Sequence, residues 1–259
     1  MNTMMTLEDI RAIERMREEE LEEARALQSV MMPATSLRTG TVIVSHGCQP
    51  VATVGGDFLD YFELTDGTVG IYLGDVCGKG LPAAMYAALA VGTLRGVHKT
   101  GQMPDAVVSL LNKRLLIRGT PRRHCAFQYA VFDPQSCDLY ITSAGMPTPL
   151  HLSTRQDCRF LDLGGIPPGL FATAKYETSS IRLEPGDSVL FFTDGITDAR
   201  NLRDEEFGSK RLLALCEAHR DLSPNDLLEH IFSCIAGFTR GQEQYDDMAA
   251  AVFCFSPAP

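Results

Sequence analysis

Between Leu7 and Met31 the apolar residues Leu7, Ile10, Ile13, Met16, Leu21, Ala24, Leu27 and Met31 recur at helical or heptad-like intervals, with Glu18, Glu19, Glu20, Glu22 and Glu23 between them. That spacing predicts an amphipathic helix whose acids form a solvated face. No Gly or Pro interrupts the run, and Pro33, which cannot continue a helix, is its natural stop. Two arrangements fit the pattern: a helix folded back on its own domain, or a parallel coiled coil pairing two copies of the chain. The boundary divides the sequence into an N-terminal helix, 1–33, and a domain, 34–259.

Beyond Pro33, strand-like and helix-like runs come in pairs. Thr41–Ser45 and Thr68–Leu73 read as strands, and Thr65-Asp66-Gly67 supplies a turn before the second. Leu81–His98 and Asp105–Arg118 read as helices, the latter with Pro104 in its first turn. Ala126–Phe132 and Asp138–Thr142 flank Asp133-Pro134-Gln135-Ser136, a hairpin signal. Short strands follow at Leu150–Leu152, Arg159–Leu163, Ser179–Leu183 and Ser188–Phe192, with Glu184-Pro185-Gly186-Asp187 as a tight turn. Helices at Ser209–Arg220 and Asn225–Phe238 and a strand at Ala249–Phe255 complete the series. Adjacent strand pairs without βαβ alternation predict an α+β fold of antiparallel sheets with helices layered outside.

Composition narrows the function classes. With 45% hydrophobic and 22% charged residues over 259 positions, the chain reads as globular, one large domain plus an extension. Lys+Arg 23 against Asp+Glu 33 gives a net charge of −10, the wrong sign for a general nucleic-acid clamp. About four of those ten excess charges lie before Pro33. The eight cysteines are scattered with no CxxC pair, which points away from a zinc ribbon and toward free thiols in a reducing cytoplasm. The first nine residues lack a signal-peptide core, and Leu81–Leu94 is too short to span a bilayer. A cytoplasmic protein with neither nucleic-acid nor membrane partners is expected.

Four acidic spots share one context, an Asp at the edge of an apolar run beside Gly or another Asp: Gly55-Gly56-Asp57, Gly74-Asp75-Val76, Thr193-Asp194-Gly195 and Asp246-Asp247. Any one of them alone reads as a turn or cap. Four carboxylates meeting in one cleft would repel, and some would be forced to hold protons. Divalent cations remove that penalty, and oxygen-only ligation fits Mg²⁺ or Mn²⁺ rather than zinc.

Longer motifs surround these residues. Gly55-Gly56-Asp57-Phe58-Leu59-Asp60 resembles the GGDFYD motif of the SpoIIE/RsbU-like branch of the PPM, or protein phosphatase 2C-type, family. Gly74-Asp75-Val76-Cys77-Gly78-Lys79-Gly80-Leu81-Pro82-Ala83-Ala84 is similar to its GDVxGKGxxAA. Leu183–Asp187 with Phe192–Ala199 resembles LxPGDxLxxxTDGxxEA, and Asp246-Asp247-Met248 stands where a terminal DDxT occurs. Glu22–Gln28 through Met31-Met32-Pro33 resembles the linker helix ahead of such domains. The likeness runs from about Glu22 to Phe255, with the motifs in the family's order.

The resemblance implies an α-β-β-α sandwich and hydrolysis of phosphoserine or phosphothreonine on a protein, with two divalent cations, Mn²⁺ or Mg²⁺, sharing a water. It implies that Asp75 bridges both ions and that the Val76 carbonyl helps hold one. Asp57 would ligate one ion, and Asp194 and Asp246 the other. Asp247 would orient its neighbour from behind, and Lys79 could meet substrate phosphate. It also implies a phosphoprotein substrate such as a STAS-type anti-anti-sigma factor, an upstream sensor or receiver, and a homodimer through the N-terminal helix.

The chain departs from the family in places. Gly78 or Lys79 occupies the region where eukaryotic relatives carry a His beside the bridging Asp, and no counterpart of their phosphate-binding Arg is evident. Met146 replaces the His of AGHxPP, and Asp198 replaces a Glu. These departures feed a rival reading from another class, a regulatory module that docks a partner with little turnover. Other chemistries fit worse. His124-Cys125 opens a cysteine-phosphatase motif, but Val131 stands where its Arg belongs; Gly74–Lys79 is one residue short of a P-loop; no GxSxG is present.

Overall fold

The computed structural model describes residues 6–97, 102–117 and 123–257. Helix α1 covers Leu7–Ser29. Thr6 caps it reciprocally: its hydroxyl accepts from the Asp9 amide (3.1 Å), and the Asp9 carboxylate accepts from the Thr6 amide (2.9 Å). Most of its apolar stripe is uncovered; Leu7, Ile13, Met16 and Leu27 are each more than half exposed. Contact with the rest of the chain concentrates at its C-terminal end. There Gln28 is buried, and Arg95 donates to the carbonyls of Val30 and Met31.

Two antiparallel sheets form the centre. The first contains β1 (Leu37–Arg38), β2 (Val42–Gln49), β7 (Leu150–Leu152), β8 (Arg159–Phe160), β10 (Ser188–Phe192) and β11 (Met248–Phe255), in the order β1-β2-β11-β10-β7-β8. The second contains β3 (Phe58–Glu63), β4 (Val69–Val76), β5 (Cys125–Asp133), β6 (Asp138–Ala144) and β9 (Ser179–Arg182), in that order. Helices α2 (Leu81–Arg95) and α3 (Pro104–Leu116) cover the second sheet; α5 (Gly208–Ala218) and α6 (Pro224–Phe238) cover the first. A short α4 (Asp194–Thr197) follows β10 directly.

Period-two alternation sorts the side chains. In β4, Val69, Ile71 and Leu73 enter the core between the sheets with Leu59, Phe132, Phe191 and Phe253, whereas Tyr72 and Val76 pack under α2 and α3. A sheet buried on both faces explains why β4 reads as an almost continuous apolar run. The result is the expected α-β-β-α sandwich.

Several boundaries differ from the sequence expectation. β2 and β4 run on to Gln49 and Val76, because pairing with β11 and β5 continues through residues of low strand propensity. β8 stops at Phe160 rather than Leu163. The helices expected to reach His98 and Arg118 are described to Arg95 and Leu116, and those two residues lie outside the described ones. Strands β1 and β3 and helix α4 are not among the elements the sequence predicts. Among the described residues no helix is long and apolar enough to cross a membrane, and all eight cysteines are free.

Candidate metal centre

The strand ends carrying the four acidic spots gather at one edge of the sandwich. Asp57 immediately precedes β3, and the register Phe58↔Gly74 sets it opposite Asp75 near the end of β4. Asp194 opens α4 where β10 ends, and Asp246 lies two residues before β11, its partner. Thr193 joins the two sheets here. Its hydroxyl donates to Asp57 Oδ2 (2.9 Å) and accepts from the Ala249 amide (2.9 Å).

Asp247 is buried and ties the 51–56 loop to β11. Oδ1 accepts from the Val51 amide (2.7 Å), and Oδ2 from the Gly56 amide (2.6 Å). Neighbouring glycines make room for it. A Cβ on Gly55 would stand 2.5 Å from Asp247 Oδ2, and one on Gly195 would stand 2.0 Å from the Asp247 carbonyl oxygen. Asp247 therefore holds the loop that presents Asp57, and its own amide donates to Asp246 Oδ1 (2.9 Å).

The carboxylates raise one another's pKa. Burial, then the charge of Asp75, pushes Asp57 well above the usual carboxylate range, against the opposing pull of the Thr193 hydrogen bond. Asp75 is pushed up to about 7 by burial and then by Asp194, Asp246 and Asp247. Asp194 is raised by the protein packed around it and then by Asp198 and Asp246, although part of its side chain reaches solvent. Asp57 Oδ1 is buried with no hydrogen-bond partner. The ammonium paired with the group is Lys79, 3.4 Å from Asp246 Oδ2; it also contacts the Tyr245 carbonyl and lies 4.1 Å from the Tyr245 ring centroid.

Among the described residues no three His, Cys, Asp or Glu side chains are placed so that they could together hold a metal ion. The donor set nevertheless fits hard divalent cations. It is all oxygen, its members disfavour one another's charge, and one buried carboxylate oxygen has no partner. The Val76 carbonyl oxygen lies on the same side, 2.8 Å from the Cβ position of Gly56.

Three residues escaped the sequence reading. Thr193 was visible only as part of a motif. Gln28 on α1 pairs with the backbone of Gly55, donating to its carbonyl (2.7 Å) and accepting from its amide (3.1 Å). Arg123 donates to the Cys77 carbonyl (3.0 Å), which puts a guanidinium beside the Asp75–Gly80 turn. The β4–β5 register could have signalled it, since Val76 opposite Cys125 brings residue 123 alongside that turn. Met146 is buried in the core between the sheets, so the departure from the family's His falls on a packing position. Cys125 is fully buried in β5, and burial raises its thiol well above the ordinary value, which removes it as a nucleophile.

Two antiparallel sheets between helical layers, with acidic strand ends gathered at one edge, define a PPM-type phosphatase domain. Residues 65–256 match the family described as Stage II sporulation protein E (SpoIIE), and the chain belongs to that family. The solved SiaA-PP2C domain of Pseudomonas aeruginosa superposes with a TM-score of 0.81 at 22% identity, covering 95% of this chain and 98% of that one. Protein IcfG of Synechocystis is 26% identical over 257 residues, and the phosphoserine phosphatase RsbU of Bacillus subtilis 23% identical over 228. The matches cover 88% and 87% of this chain, but only 40% of IcfG and 67% of RsbU.

Proposed function

We propose that the chain is a metal-dependent protein serine/threonine phosphatase. The observation that carries this reading is the Asp57–Asp75 pair, opposed across β3 and β4, Asp57 buried and Asp75 half-buried, with Asp194 and Asp246 acting on it electrostatically and Asp57 Oδ1 left without a partner. Asp75 and the Val76 carbonyl would hold cations together with Asp57 on one side and Asp194 and Asp246 on the other. Two Mn²⁺ or Mg²⁺ ions, when bound, supply Lewis acidity for water activation and phosphoryl polarisation. Thr193 fixes the Asp57 carboxylate, Asp247 holds its loop, and Lys79 and Arg123 offer positive charge at the mouth for the substrate phosphate.

The naming of RsbU as a phosphoserine phosphatase supports phosphoserine or phosphothreonine as substrate. We further propose a phosphorylated STAS-type anti-anti-sigma factor, or a similar small bacterial switch protein, as the phosphoprotein, acted on in the cytoplasm. On this reading residues 1–33 form a linker helix apart from the phosphatase domain, 34–259. Its exposed apolar stripe supports pairing with a second copy or with an upstream sensor or receiver.

The test is hydrolysis of p-nitrophenyl phosphate and a phosphoserine peptide with Mn²⁺, Mg²⁺ or EDTA, beside Asp75→Asn. Metal-dependent turnover lost in the variant supports the enzyme. Absence of turnover with two cations bound by calorimetry favours the docking module, and absence of both removes the metal-centre reading.

A further inference from the structure

Beside the centre lies a cavity of about 220 Å³ whose lining includes Asp246 and Gly195, so it opens next to two of the proposed metal-holding segments. Its apolar wall comes from Ala199, Ile235 and Met248, all buried. Besides Asp246, which pairs with Lys79, its acids are Asp198 and Glu243, both exposed, and among the described residues neither of these two has a cation within ion-pair distance. One base lines it, Arg200, and that guanidinium is committed elsewhere: it pairs with Asp204 (3.0 Å) and Glu206 (2.5 Å) in the adjoining hairpin. A second groove with Asp198, Glu243 and Tyr245 in its lining continues the cavity outward.

Resting on the phosphatase reading, we infer that this cavity is a specificity pocket for a lysine or arginine side chain close in sequence to the phosphorylated residue. Both side chains have an apolar stem and a cationic head, so the stem matches the Ala199–Ile235–Met248 wall and the head the Asp198 and Glu243 carboxylates. An apolar side chain would desolvate two carboxylates without pairing them, and an acidic one would meet like charge. The occupant belongs to the substrate chain because the pocket shares Asp246 with the reaction centre. A phosphoserine held there puts residues one or two positions away within reach at about 3.3–3.6 Å per residue.

The experiment uses the full chain with Mn²⁺ and three phosphoserine peptides carrying Lys, Ala or Glu at the positions within two residues of the phosphoserine. The Lys peptide should exceed the Ala peptide in kcat/KM by about three- to tenfold, mainly through KM, as two exposed ion pairs allow. The Lys-to-Ala ratio should shrink toward one in Glu243→Gln and fall below one in Glu243→Lys, which should favour the Glu peptide. A ratio is used because it cancels any general loss of activity in a variant. Equal kcat/KM for all three peptides, or a ratio unmoved in Glu243→Lys, overturns the pocket. Peptide binding by fluorescence anisotropy separates this from failure of the enzyme reading. Without turnover, a Lys preference in binding that Glu243→Lys reverses upholds the pocket, and equal binding of the three peptides sinks it.

Discussion

Thr193 Oγ1 lies 2.9 Å from Asp57 Oδ2, on a side chain that belongs to the end of β10 while the carboxylate belongs to the start of β3. The same hydroxyl accepts from the Ala249 amide on β11. With the Ala249 amide on one lone pair, the hydroxyl proton has two acceptors in reach, Asp57 Oδ2 at 2.9 Å and the Ala249 carbonyl at 3.3 Å, and the carboxylate is the nearer. Asp57 Oδ1 has no hydrogen-bond partner, and the Asp75 carboxyl is close enough to interact with the Asp57 side chain. The orientation of this buried acid is thus steered from the opposite sheet.

Thr193→Val keeps the shape of this fully buried residue and removes the donor. Mn²⁺ affinity measured by calorimetry should fall about tenfold, the usual effect of losing a group that orients a metal ligand. Thr193→Ser should recover most of it. Equal affinity in wild type and Thr193→Val would show that Asp57 is held by its backbone alone.

The carboxylate cluster also sets a pH dependence. Asp57, Asp75 and Asp194 bind protons more tightly folded than unfolded, Asp75 with a value of about 7. For groups raised in this way, the unfolded chain releases its protons first. Their stabilising contribution is then full below the unfolded value near 4 and is lost as pH rises toward 7. With EDTA present, the thermal midpoint should decline across about pH 4–7, and Mn²⁺ should abolish most of that decline. Chemical denaturation at pH 5 and pH 7, with and without metal, checks both halves.

Lys79 is a competitor for Asp246. Its ammonium stands 3.4 Å from Oδ2, and both side chains are only part-buried, so the pair is worth little in itself. A cation binding at Asp246, as proposed, would compete with the ammonium for Oδ2 at the cost of that small interaction. Lys79→Met should therefore tighten Mn²⁺ binding by about two- to fivefold. If Lys79 then meets the substrate phosphate, KM for a phosphopeptide should rise in the same variant. Weaker Mn²⁺ binding would mean that Lys79 preorganises Asp246 instead of blocking it.

The parts of this molecule legible in the sequence are those that use local rules. Alternation placed most of the strands, and Glu184-Pro185-Gly186-Asp187 closes its turn as read, with the Asp187 amide donating to the Glu184 carbonyl at 2.9 Å. Asp57 and Asp75 were found by composition and context, and β-register then brought them face to face. β3 was hidden because Phe58–Glu63 reads as a motif and alternates poorly: Phe58, Leu59, Tyr61 and Phe62 are all buried. Thr193 and Gln28 were invisible for a different reason. Their partners lie 136 and 27 residues away, and no periodicity encodes a single long-range hydrogen bond.

Gln28 gives the N-terminal helix a direct hold on the loop that presents Asp57. The amide spans the Gly55 backbone, matching its donor and acceptor as a neighbouring strand would, and both bonds are buried. Gly55 in turn lies against Asp247, whose carboxylate anchors the next amide along. Gln28→Ala leaves a buried carbonyl and amide unpaired, at about 1–3 kcal/mol. The loss should appear first as local opening, because α1 has few other buried contacts. Hydrogen exchange at the Gly55 amide should accelerate in the variant while amides in β4 and β5 stay protected. If α1 also carries the control of this domain, Gln28→Ala and deletion of residues 1–30 should shift Mn²⁺-dependent turnover in the same direction, with light scattering following oligomer size. Unchanged exchange at Gly55 would show that Asp247 alone holds the loop and that the helix has no grip on the centre.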